Sequence, residues 1–303
     1  MELVQQMIWE KIDKFTHVVT ELVDDNWIIQ PDKFTDNMSI DAAKEHVNGM
    51  AYALAEMVGN RGTVYSHDPK DHMRLPNLKY YAYHYYRALK LFKPLYMKHI
   101  LSGKKKYTVS CLNNNPRNHR ILMYLMMDRP DNQLWTMHNE NEYDTKIDNQ
   151  EIQIPDNIQN KWNQIKDQFA DKVNYENGEE CESNIHEAYT NSYINIVTET
   201  LMLPGVFITE KTWKPISIGQ LFVIQGSPGT IKHLRTLGID CYDDIIDHTY
   251  DDIEDPVLRT QAIQDSIKKL LGVDLTDLNT HTVERRINNA KKFWSGKLYT
   301  KYE

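Results

Sequence analysis

A chain of 303 residues with 41% hydrophobic and 26% charged side chains can bury a sizeable core, or two cores of about 150 residues each. Its net charge of −8 weighs against a broad nucleic-acid-binding surface, although a local basic groove is compatible with it. No apolar run is long enough to span a bilayer, and no basic N-terminal segment precedes an apolar one, so we expect a cytoplasmic protein that does not bind membranes. The wide spacing of Cys111, Cys181 and Cys241 indicates a reducing compartment, without a disulfide framework or a zinc site.

The first hundred residues show helical spacing in two places and then an aromatic block. Apolar side chains recur every three or four positions over residues 1–25 and again over 41–58, which predicts two helices. The turn-rich segment 62–78 is a candidate active-site loop. The aromatic block that follows contains Tyr80, Tyr81, Tyr83, Tyr85 and Tyr86. We favour packing of a helix against a sheet for these tyrosines, and a stacking platform for a sugar or base is the alternative.

A predicted strand over 107–113 is followed by a polar turn and a predicted helix over 121–128. The polar side chains of this turn include Asn113, Arg117, His119 and Arg120. Ligands of open α/β sheets bind at the carboxyl ends of the strands, so the turn faces the expected ligand site. The asparagine and the two arginines are candidate contacts of a diphosphate or an acceptor, and the histidine is a candidate base. Helix capping and pairing with nearby carboxylates are the alternative.

The segment from about 139 to 185 is polar, and we place a domain boundary between 140 and 180. The part at 162–169 is amphipathic and predicts a helix. A short helix at 184–192 then leads into a strand at 193–197.

The stretch 193–227 predicts a strand, a polar turn, a short helix and a second strand. Thr212 is the predicted N-cap of the helix, and Pro215 falls in its first turn, where the missing N–H costs nothing. Gly219 ends the helix, and the apolar run 221–224 is the second, buried strand.

The start of this helix is a candidate phosphate site. Its first N–H groups have no partner within the helix and carry the positive end of the helix dipole, and Lys211 adds a positive charge. Glu210 beside it is placed to accept hydrogen bonds from ribose hydroxyls.

Two sequences in this region, VTET with Glu199 and FITEKTWKPISIGQLFVI, together resemble the nucleotide-sugar-binding signature of the α1,3-fucosyltransferase family. The segment 193–255 and the turn LNNNPRNHR also resemble glycosyltransferases attributed to bacteriophages and marine viruses. The resemblance covers about a fifth of the chain. It implies that Glu210 holds the ribose and Lys211 the diphosphate of a sugar donor.

We expect the donor site to be completed by Thr209, Thr212, Glu199 and Ser227. For Glu199, a helix cap or a salt bridge to Lys211 is as consistent with the sequence as a ligand contact. The turn GSPG at 226–229 is expected to line the site through backbone N–H groups.

The C-terminal part of the chain predicts a helix at 230–237, a strand at 239–242 and a solvated acidic loop at 243–255. A helix at 256–271 follows, with Leu258, Ile263, Ile267 and Leu270 on its buried side. The last predicted helix, 275–297, is basic on one side through Arg285, Arg286, Lys291 and Lys292. By analogy, it corresponds to the helix that crosses back onto the first domain in GT-B glycosyltransferases.

Alternation of strands and helices from residue 107 onward predicts an α/β fold with mostly parallel strands. With the resemblance, it indicates two Rossmann-like domains in a GT-B-like architecture. The acceptor-side domain is expected at 1–150, the nucleotide-sugar-binding domain at 180–275, and a C-terminal segment at 276–303 that packs back on the first domain.

The expected activity is transfer of a sugar from a nucleotide-diphosphate donor to an acceptor hydroxyl, without a metal or another cofactor. No clear D-x-D sequence is present to hold a metal against a diphosphate. The candidate bases, in order, are His119, Asp68 and His67. The fingerprints of dinucleotide-binding, P-loop and serine-hydrolase proteins are absent.

A role directed at nucleic acid is the alternative. Lys104–Lys106, Arg117, Arg120 and the tyrosine block suit a non-catalytic nucleic-acid-binding module on the same fold. They also suit a phage enzyme that transfers a sugar to hydroxylated bases of viral DNA, acting in the host cytoplasm. The acceptor is therefore either a glycan or DNA.

Overall fold

The computed structural model of the chain describes residues 18–23, 26–31, 64–66, 78–80, 82–94, 96, 100, 103–113, 116–137, 152–166, 187–200, 202 and 206–299. The chain divides into two compact units, one formed by Met1–Tyr83 with Tyr299–Glu303 and the other by His84–Leu298. The predicted helix over 41–58 and the candidate bases His67 and Asp68 lie outside the described residues.

The first unit contains a four-stranded sheet. Its strands, in their order across the sheet, are β1 (Val18–Val23), β2 (Asn26–Pro31), β3 (Val64–Ser66) and β4 (Leu78–Tyr80). β1 and β2 are antiparallel, whereas β2, β3 and β4 are parallel. The helix predicted over 1–25 is wrong for Val18–Val23, because this β-branched run pairs as a strand with β2.

The second unit contains a parallel four-stranded sheet. Its strands are β5 (Tyr107–Asn113), β6 (Leu134–Met137), β7 (Ser192–Thr198) and β8 (Leu221–Gln225). They lie in the order β6-β5-β7-β8 and all run parallel, which confirms the α/β prediction for this unit. The strand order reverses at the β5–β7 junction, and ligands of doubly wound sheets bind at the carboxyl side of such a junction.

The domain boundary predicted between residues 140 and 180 does not coincide with the two units. β5 and β6 precede that range and β7 and β8 follow it, yet all of them pair in one sheet. The predicted domains 1–150 and 180–275 therefore share this sheet, and His84–Leu298 forms one unit around it.

The helices of the described residues flank these strands along the chain. They are α1 (Tyr83–Leu91), α2 (Asn118–Met126), α3 (Asp156–Ile165), α4 (Glu187–Thr190), α5 (Glu210–Ser217), α6 (Thr230–Thr236), α7 (Pro256–Leu271), α8 (Leu275–His281) and α9 (Val283–Trp294). None of them is long and apolar enough to cross a lipid bilayer.

Three predictions for the C-terminal part are wrong. Residues 239–242 form no strand. The single helix predicted over 275–297 is divided at Thr282 into α8 and α9, because the backbone of Thr282 leaves the helical region with φ −94° and ψ 1°. Leu258, predicted on the buried side of its helix, is 61% exposed.

α7 matches its predicted bounds, and the reason lies in its first residues. Asp255 caps the helix by accepting hydrogen bonds from the N–H groups of Val257 and Leu258. Pro256 follows at the first helical position, where it has no N–H to leave unpaired.

Aromatic side chains join α1, α5 and α9 within the second unit. The Tyr85 ring lies 5.3 Å from that of Trp213 and 5.5 Å from that of Phe293, measured between centroids. The Tyr85 hydroxyl donates a hydrogen bond of 2.8 Å to the Phe293 carbonyl oxygen. Tyr85 is thus a buried packing residue, but it packs α1 against the helices α5 and α9 and not against a sheet as predicted.

Candidate functional site

The carboxyl ends of β5, β7 and β8 meet at the switch point of the second sheet. The Thr198 hydroxyl at the end of β7 is hydrogen-bonded to the carboxamide oxygen of Asn113 at the end of β5. The Glu199 N–H, one residue further on, donates to the Gln225 carbonyl oxygen at the end of β8 at 2.9 Å. A Cβ at Gly226 would lie 3.3 Å from Cγ of Glu199, so the glycine permits this close approach.

Glu199 is fully buried, and its carboxylate accepts four hydrogen bonds. Two come from the backbone N–H groups of Thr200 and Thr209, both at 3.1 Å. The other two come from the hydroxyls of Thr209 at 2.6 Å and Thr212 at 2.5 Å. Of the roles that the sequence left open, these bonds match the cap, since they tie β7 to the start of α5.

The start of α5 differs from its prediction. Its N-cap is Thr209 and not Thr212, and the Thr209 hydroxyl oxygen accepts a long hydrogen bond of 3.4 Å from the Lys211 N–H. Pro215 is consequently the sixth residue of the helix and lies in its second turn, so the Lys211 carbonyl receives no hydrogen bond from position 215.

Glu210 and Lys211 form an ion pair in the first turn of α5. Nζ of Lys211 lies 2.5 Å from Oε1 of Glu210 and also donates to the Thr200 hydroxyl at 3.0 Å. Burial tends to raise the pKa of Glu210, but the positive charges of Lys211, His84 and Lys214 outweigh it and hold this pKa at about 2. Both charged side chains stay partly exposed, 17% for Glu210 and 29% for Lys211, and are therefore accessible to a ligand.

The turn after β5 and the start of α2 lie beside Glu199, at the same carboxyl edge of the sheet. Nε2 of His119 lies 2.8 Å from the Glu199 carbonyl oxygen, and Nη2 of Arg120 donates to that oxygen at 3.1 Å. The structure thus brings together residues of both motifs, which are separated by 79 and 80 positions in the chain.

His119 is buried and does not have the surroundings of an accessible base. A carbonyl oxygen only accepts, so Nε2 of His119 carries the hydrogen and Nδ1 is the unprotonated nitrogen. Burial and the neighbouring Arg120 lower the pKa of His119 well below its usual value. With its ring fully buried, this histidine positions the Glu199 backbone rather than facing an acceptor.

Three cations surround the junction of β5 and β7. Arg120 shares the Glu199 carbonyl with His119, and the charges of Arg120, Arg117 and Lys211 all lower the pKa of His119. The first turn of α2 contains no acidic residue, and its N-cap residue, Arg117, makes no side-chain capping bond. Cationic side chains therefore lie near the switch point, next to a helix start that has no acidic residue in its own first turn.

The start of α6, in contrast, already holds a carboxylate. The N–H groups of Ile231 and Lys232 donate to Asp251 at 3.0 and 2.9 Å. The Ser227 carbonyl oxygen accepts from the Thr230 hydroxyl and from Nη2 of Arg259. Hydrogen bonds to its own carbonyl oxygen therefore hold the GSPG turn in place, and the N–H groups of Ile231 and Lys232 are already bonded to Asp251.

Asn113, a predicted ligand contact, joins the strands of the sheet. Its carboxamide oxygen is bonded to the Thr198 hydroxyl, and its Nδ2 donates to Sγ of Cys111 and to the Thr136 carbonyl, both at 3.4 Å. Its side chain therefore sets the spacing of β5, β6 and β7 beneath the site.

The acidic loop 243–255 is less solvated than predicted. Asp251 is only 3% exposed, because it is enclosed by α6 and α7. Asp243 and Asp244 are exposed but paired, with Arg235 and Arg285 respectively. Among the described residues, no group of three or more His, Cys, Asp or Glu side chains could hold a metal ion.

His84 is a site residue that the sequence did not reveal. It is the second residue of α1, and its ring meets that of Phe207 edge-on with centroids 5.3 Å apart. Phe207 lies three residues before Glu210, so this contact places a histidine beside the start of α5. No local motif announces it, because the contact depends on the packing of α1.

Acidification is expected to destabilise the protein through His119 and His248. His248 is also buried, donates from Nε2 to the Cys241 carbonyl at 2.7 Å and has a lowered pKa because of its burial. The unfolded chain binds protons near pH 6.5 that the folded chain excludes, so stability is complete above about pH 6.5 and is lost below it. We expect a loss of about 1.4 kcal/mol per pH unit for each histidine, measured by urea unfolding between pH 7.5 and 5.

Variants of these histidines test that pH dependence. His248→Gln is expected to remove the share of the slope below pH 6.5 that comes from this buried histidine. An equal slope in His248→Gln and the unmodified protein would show that His248 does not contribute.

Neither a protein-family model nor a curated protein nor a solved structure matches the chain.

Proposed function

We propose that the protein is a glycosyltransferase that moves a sugar from a nucleotide-diphosphate donor to an acceptor hydroxyl. The observation that carries this proposal is the cation cluster of Arg117, Arg120 and Lys211 at the switch point of the second sheet. A doubly wound sheet binds nucleotides at this position, and a diphosphate requires positive charge there. The Glu–Lys pair at the same position is the one that the fucosyltransferase resemblance associates with the donor.

In the proposed complex, the diphosphate lies between the start of α2 and Lys211. α2 suits it better than α5 or α6, since α5 has Glu199 and Glu210 at its start and α6 has Asp251. The helix N–H groups and the cations would stabilise the charge that develops on the departing nucleoside diphosphate. This function needs no metal in the transfer step.

Glu210 is the proposed ribose contact. Its Oε1 is bonded to Lys211, and its carboxylate keeps its charge at neutral pH because its pKa is about 2. A partly exposed carboxylate next to a diphosphate site is placed to accept hydrogen bonds from the ribose hydroxyls. In this proposal the architecture is GT-B-like with two Rossmann-like domains.

Transfer is favoured over a non-catalytic nucleic-acid-binding module, because Lys105 of the basic run that would support the module has an internal partner, as do two arginines on the basic side of the last predicted helix. Lys105 is buried, donates to the Thr190 carbonyl at 3.0 Å and has a pKa lowered to about 8 by burial and by Arg286. Arg285 pairs with Asp240 and Asp244, and Arg286 is buried against the Gly219 carbonyl. Hydroxylated DNA bases remain one class of proposed acceptor.

Lys211→Met tests the donor site. We expect nucleoside diphosphates and sugar nucleotides that carry one particular base to raise the melting temperature. At a ligand concentration of about 100 times Kd, binding should add about 2.7 kcal/mol to the free energy of unfolding. Lys211→Met should lose this response while keeping the stability of the free protein within about 1 kcal/mol, because partly exposed ion pairs contribute little. A thermal-shift screen with and without magnesium measures both quantities.

The matched control is Lys291→Met, which removes an exposed lysine from α9 and should respond like the unmodified protein. A flat response to all sugar nucleotides, together with a shift by DNA, would overturn the proposal in favour of the nucleic-acid-binding module.

A further inference from the structure

Thr200 lies between the buried Glu199 and the partly exposed ammonium group of Lys211. Its backbone N–H donates to Oε2 of Glu199 at 3.1 Å, and its hydroxyl oxygen accepts from Nζ of Lys211 at 3.0 Å. Glu199 is itself fixed at the edge of the sheet, because its N–H donates to the Gln225 carbonyl at 2.9 Å. A continuous series of hydrogen bonds therefore joins the carboxyl edge of the sheet to this ammonium group.

The ammonium group of Lys211 has one hydrogen more than it has acceptors. Nζ donates to Oε1 of Glu210 at 2.5 Å and to the Thr200 hydroxyl, and these are its acceptors among the described residues. Since a lysine ammonium carries three hydrogens, the third is left for a ligand. The Lys211 side chain is 29% exposed, so a ligand can reach it.

The two acceptors act on Lys211 in different ways. Glu210 is its neighbour in the chain and offsets its charge, and the two long side chains can turn together. Thr200 lies 11 positions away in the chain, before α5, and its hydroxyl is neutral. The short β-branched side chain of a threonine has few rotamers. The hydroxyl therefore fixes the place of the ammonium group without reducing its charge.

We propose that Thr200 is a positioning residue of the donor site, which holds the Lys211 ammonium where it binds the diphosphate. This assignment rests on the proposed function. A lysine side chain that is already ordered loses less conformational entropy when a phosphate binds, so the affinity is higher. Glu210 keeps its place at the ribose, because its Oε2 has no partner in the part of the chain that the structure describes while Oε1 stays on Lys211.

Thr200→Val tests this assignment. It replaces the hydroxyl by a methyl group of similar size and keeps the backbone N–H that donates to Glu199. Calorimetric titration with UDP, GDP, ADP and dTDP first identifies the nucleoside diphosphate that the unmodified protein binds. For this ligand, Thr200→Val should raise Kd about 3- to 10-fold, as expected for one lost hydrogen bond, and should leave Tm of the free protein within about 4 °C. Thr200→Ser restores the hydroxyl and should return Kd to within about twofold.

A double variant shows whether Thr200 acts through Lys211. In Lys211→Met there is no ammonium group to position, so adding Thr200→Val should change the remaining weak binding, titrated at millimolar ligand, by less than about twofold. A purely structural role of Thr200 would weaken binding in both backgrounds.

Thr280→Val is the matched control. It removes a threonine hydroxyl from α8 that donates to the Thr276 carbonyl at 2.9 Å. α8 lies at the amino end of β7, away from the site, since the Tyr193 hydroxyl is hydrogen-bonded to that of Thr276 at 3.1 Å. This variant should bind like the unmodified protein.

The outcomes separate this inference from the function on which it rests. If the unmodified protein binds a nucleoside diphosphate and Thr200→Val binds it equally well, Thr200 does not position Lys211 and the transferase proposal stands. Failure of Thr200→Ser to recover binding, or multiplication of the two effects in the double variant, would also overturn the assignment alone. If the unmodified protein binds no nucleoside diphosphate, both proposals fail. Should Thr200→Val melt early, the comparison of Thr200→Ser with the unmodified protein, each with and without Lys211→Met, decides the question: both pairs should agree within about twofold.

Discussion

Replacing Glu199 by alanine is expected to lower the free energy of unfolding by about 3–4 kcal/mol. The carboxylate is fully buried and accepts from two backbone N–H groups and two hydroxyls. The hydroxyls can turn to other acceptors, but the buried Thr209 N–H cannot, and a buried unpaired donor costs about 1–3 kcal/mol; the half-buried Thr200 N–H and the lost packing of the side chain add to this. Urea unfolding at pH 7.5 measures the loss.

The isosteric variant Glu199→Gln separates the charge from the shape. It keeps one carboxamide oxygen as acceptor but directs an NH2 group at donors, so we expect a smaller loss of about 1–3 kcal/mol. Glu254→Gln, which changes an exposed glutamate, serves as control and should stay within about 0.5 kcal/mol. If Glu199→Ala behaved like this control, Glu199 would not hold the start of α5, and a ligand role for its carboxylate would regain support.

The sequence predicted the parts of the site that depend on local pattern. The strands β5, β7 and β8 are short apolar runs, and the polar turns that follow them identified Arg120 and Glu199 as neighbours of one sheet edge. Parallel strands present their carboxyl ends together, so this convergence follows from the order of the elements alone.

Other features depended on contacts between distant residues. Asp251 reads as part of a solvated acidic loop, yet Arg259, eight positions later, and the start of α6, twenty positions earlier, enclose it. His84 belongs to a tyrosine-rich segment. Which of its side chains point inward became clear only from the packing of Tyr85 on Trp213. β6 was not predicted, since its Leu134–Met137 run is short and only half buried at the edge of the sheet.

The identity of the N-cap residue decides which charged groups lie at the start of α5. With Thr212 as the cap, Glu210 and Lys211 would lie outside the helix and its N–H groups would be open to phosphate. With Thr209 as the cap, Glu210 lies in the first turn and Glu199 adds a second carboxylate below it. The negative charge at α5 is what makes α2, which has no acidic residue in its first turn, the more suitable helix for a diphosphate.

Replacing Asp251 by alanine is the second change expected to have a large effect, a loss of about 3–5 kcal/mol. Its carboxylate caps α6 through the N–H groups of Ile231 and Lys232 and lies 3.4 Å from Nη2 of the buried Arg259. Removing it leaves the two helix N–H groups without their acceptor and the buried guanidinium without its counter-ion, although that guanidinium keeps the backbone carbonyls of Ile253 and Ser227 as acceptors. The loss should appear in urea unfolding at pH 7.5, with the neighbouring exposed Asp252→Ala near zero as control.

A second substitution at Arg259 distinguishes a buried-charge penalty from a general loss of packing. If the cost of Asp251→Ala comes from the uncompensated guanidinium, Asp251→Ala combined with Arg259→Met should be less destabilised than the sum of the single variants by at least about 1 kcal/mol. If the effects of the two substitutions simply added up, the pairing of Asp251 with Arg259 would be contradicted.

The same variants also test whether the GSPG turn must be held in place for the donor to bind. The Arg259 guanidinium donates to the Ser227 carbonyl, so nucleoside diphosphate binding is measured in the two single variants and the double variant. We expect Asp251→Ala to weaken nucleoside diphosphate binding less than Lys211→Met does, since α6 supports the site and Lys211 contacts the ligand in the proposed complex.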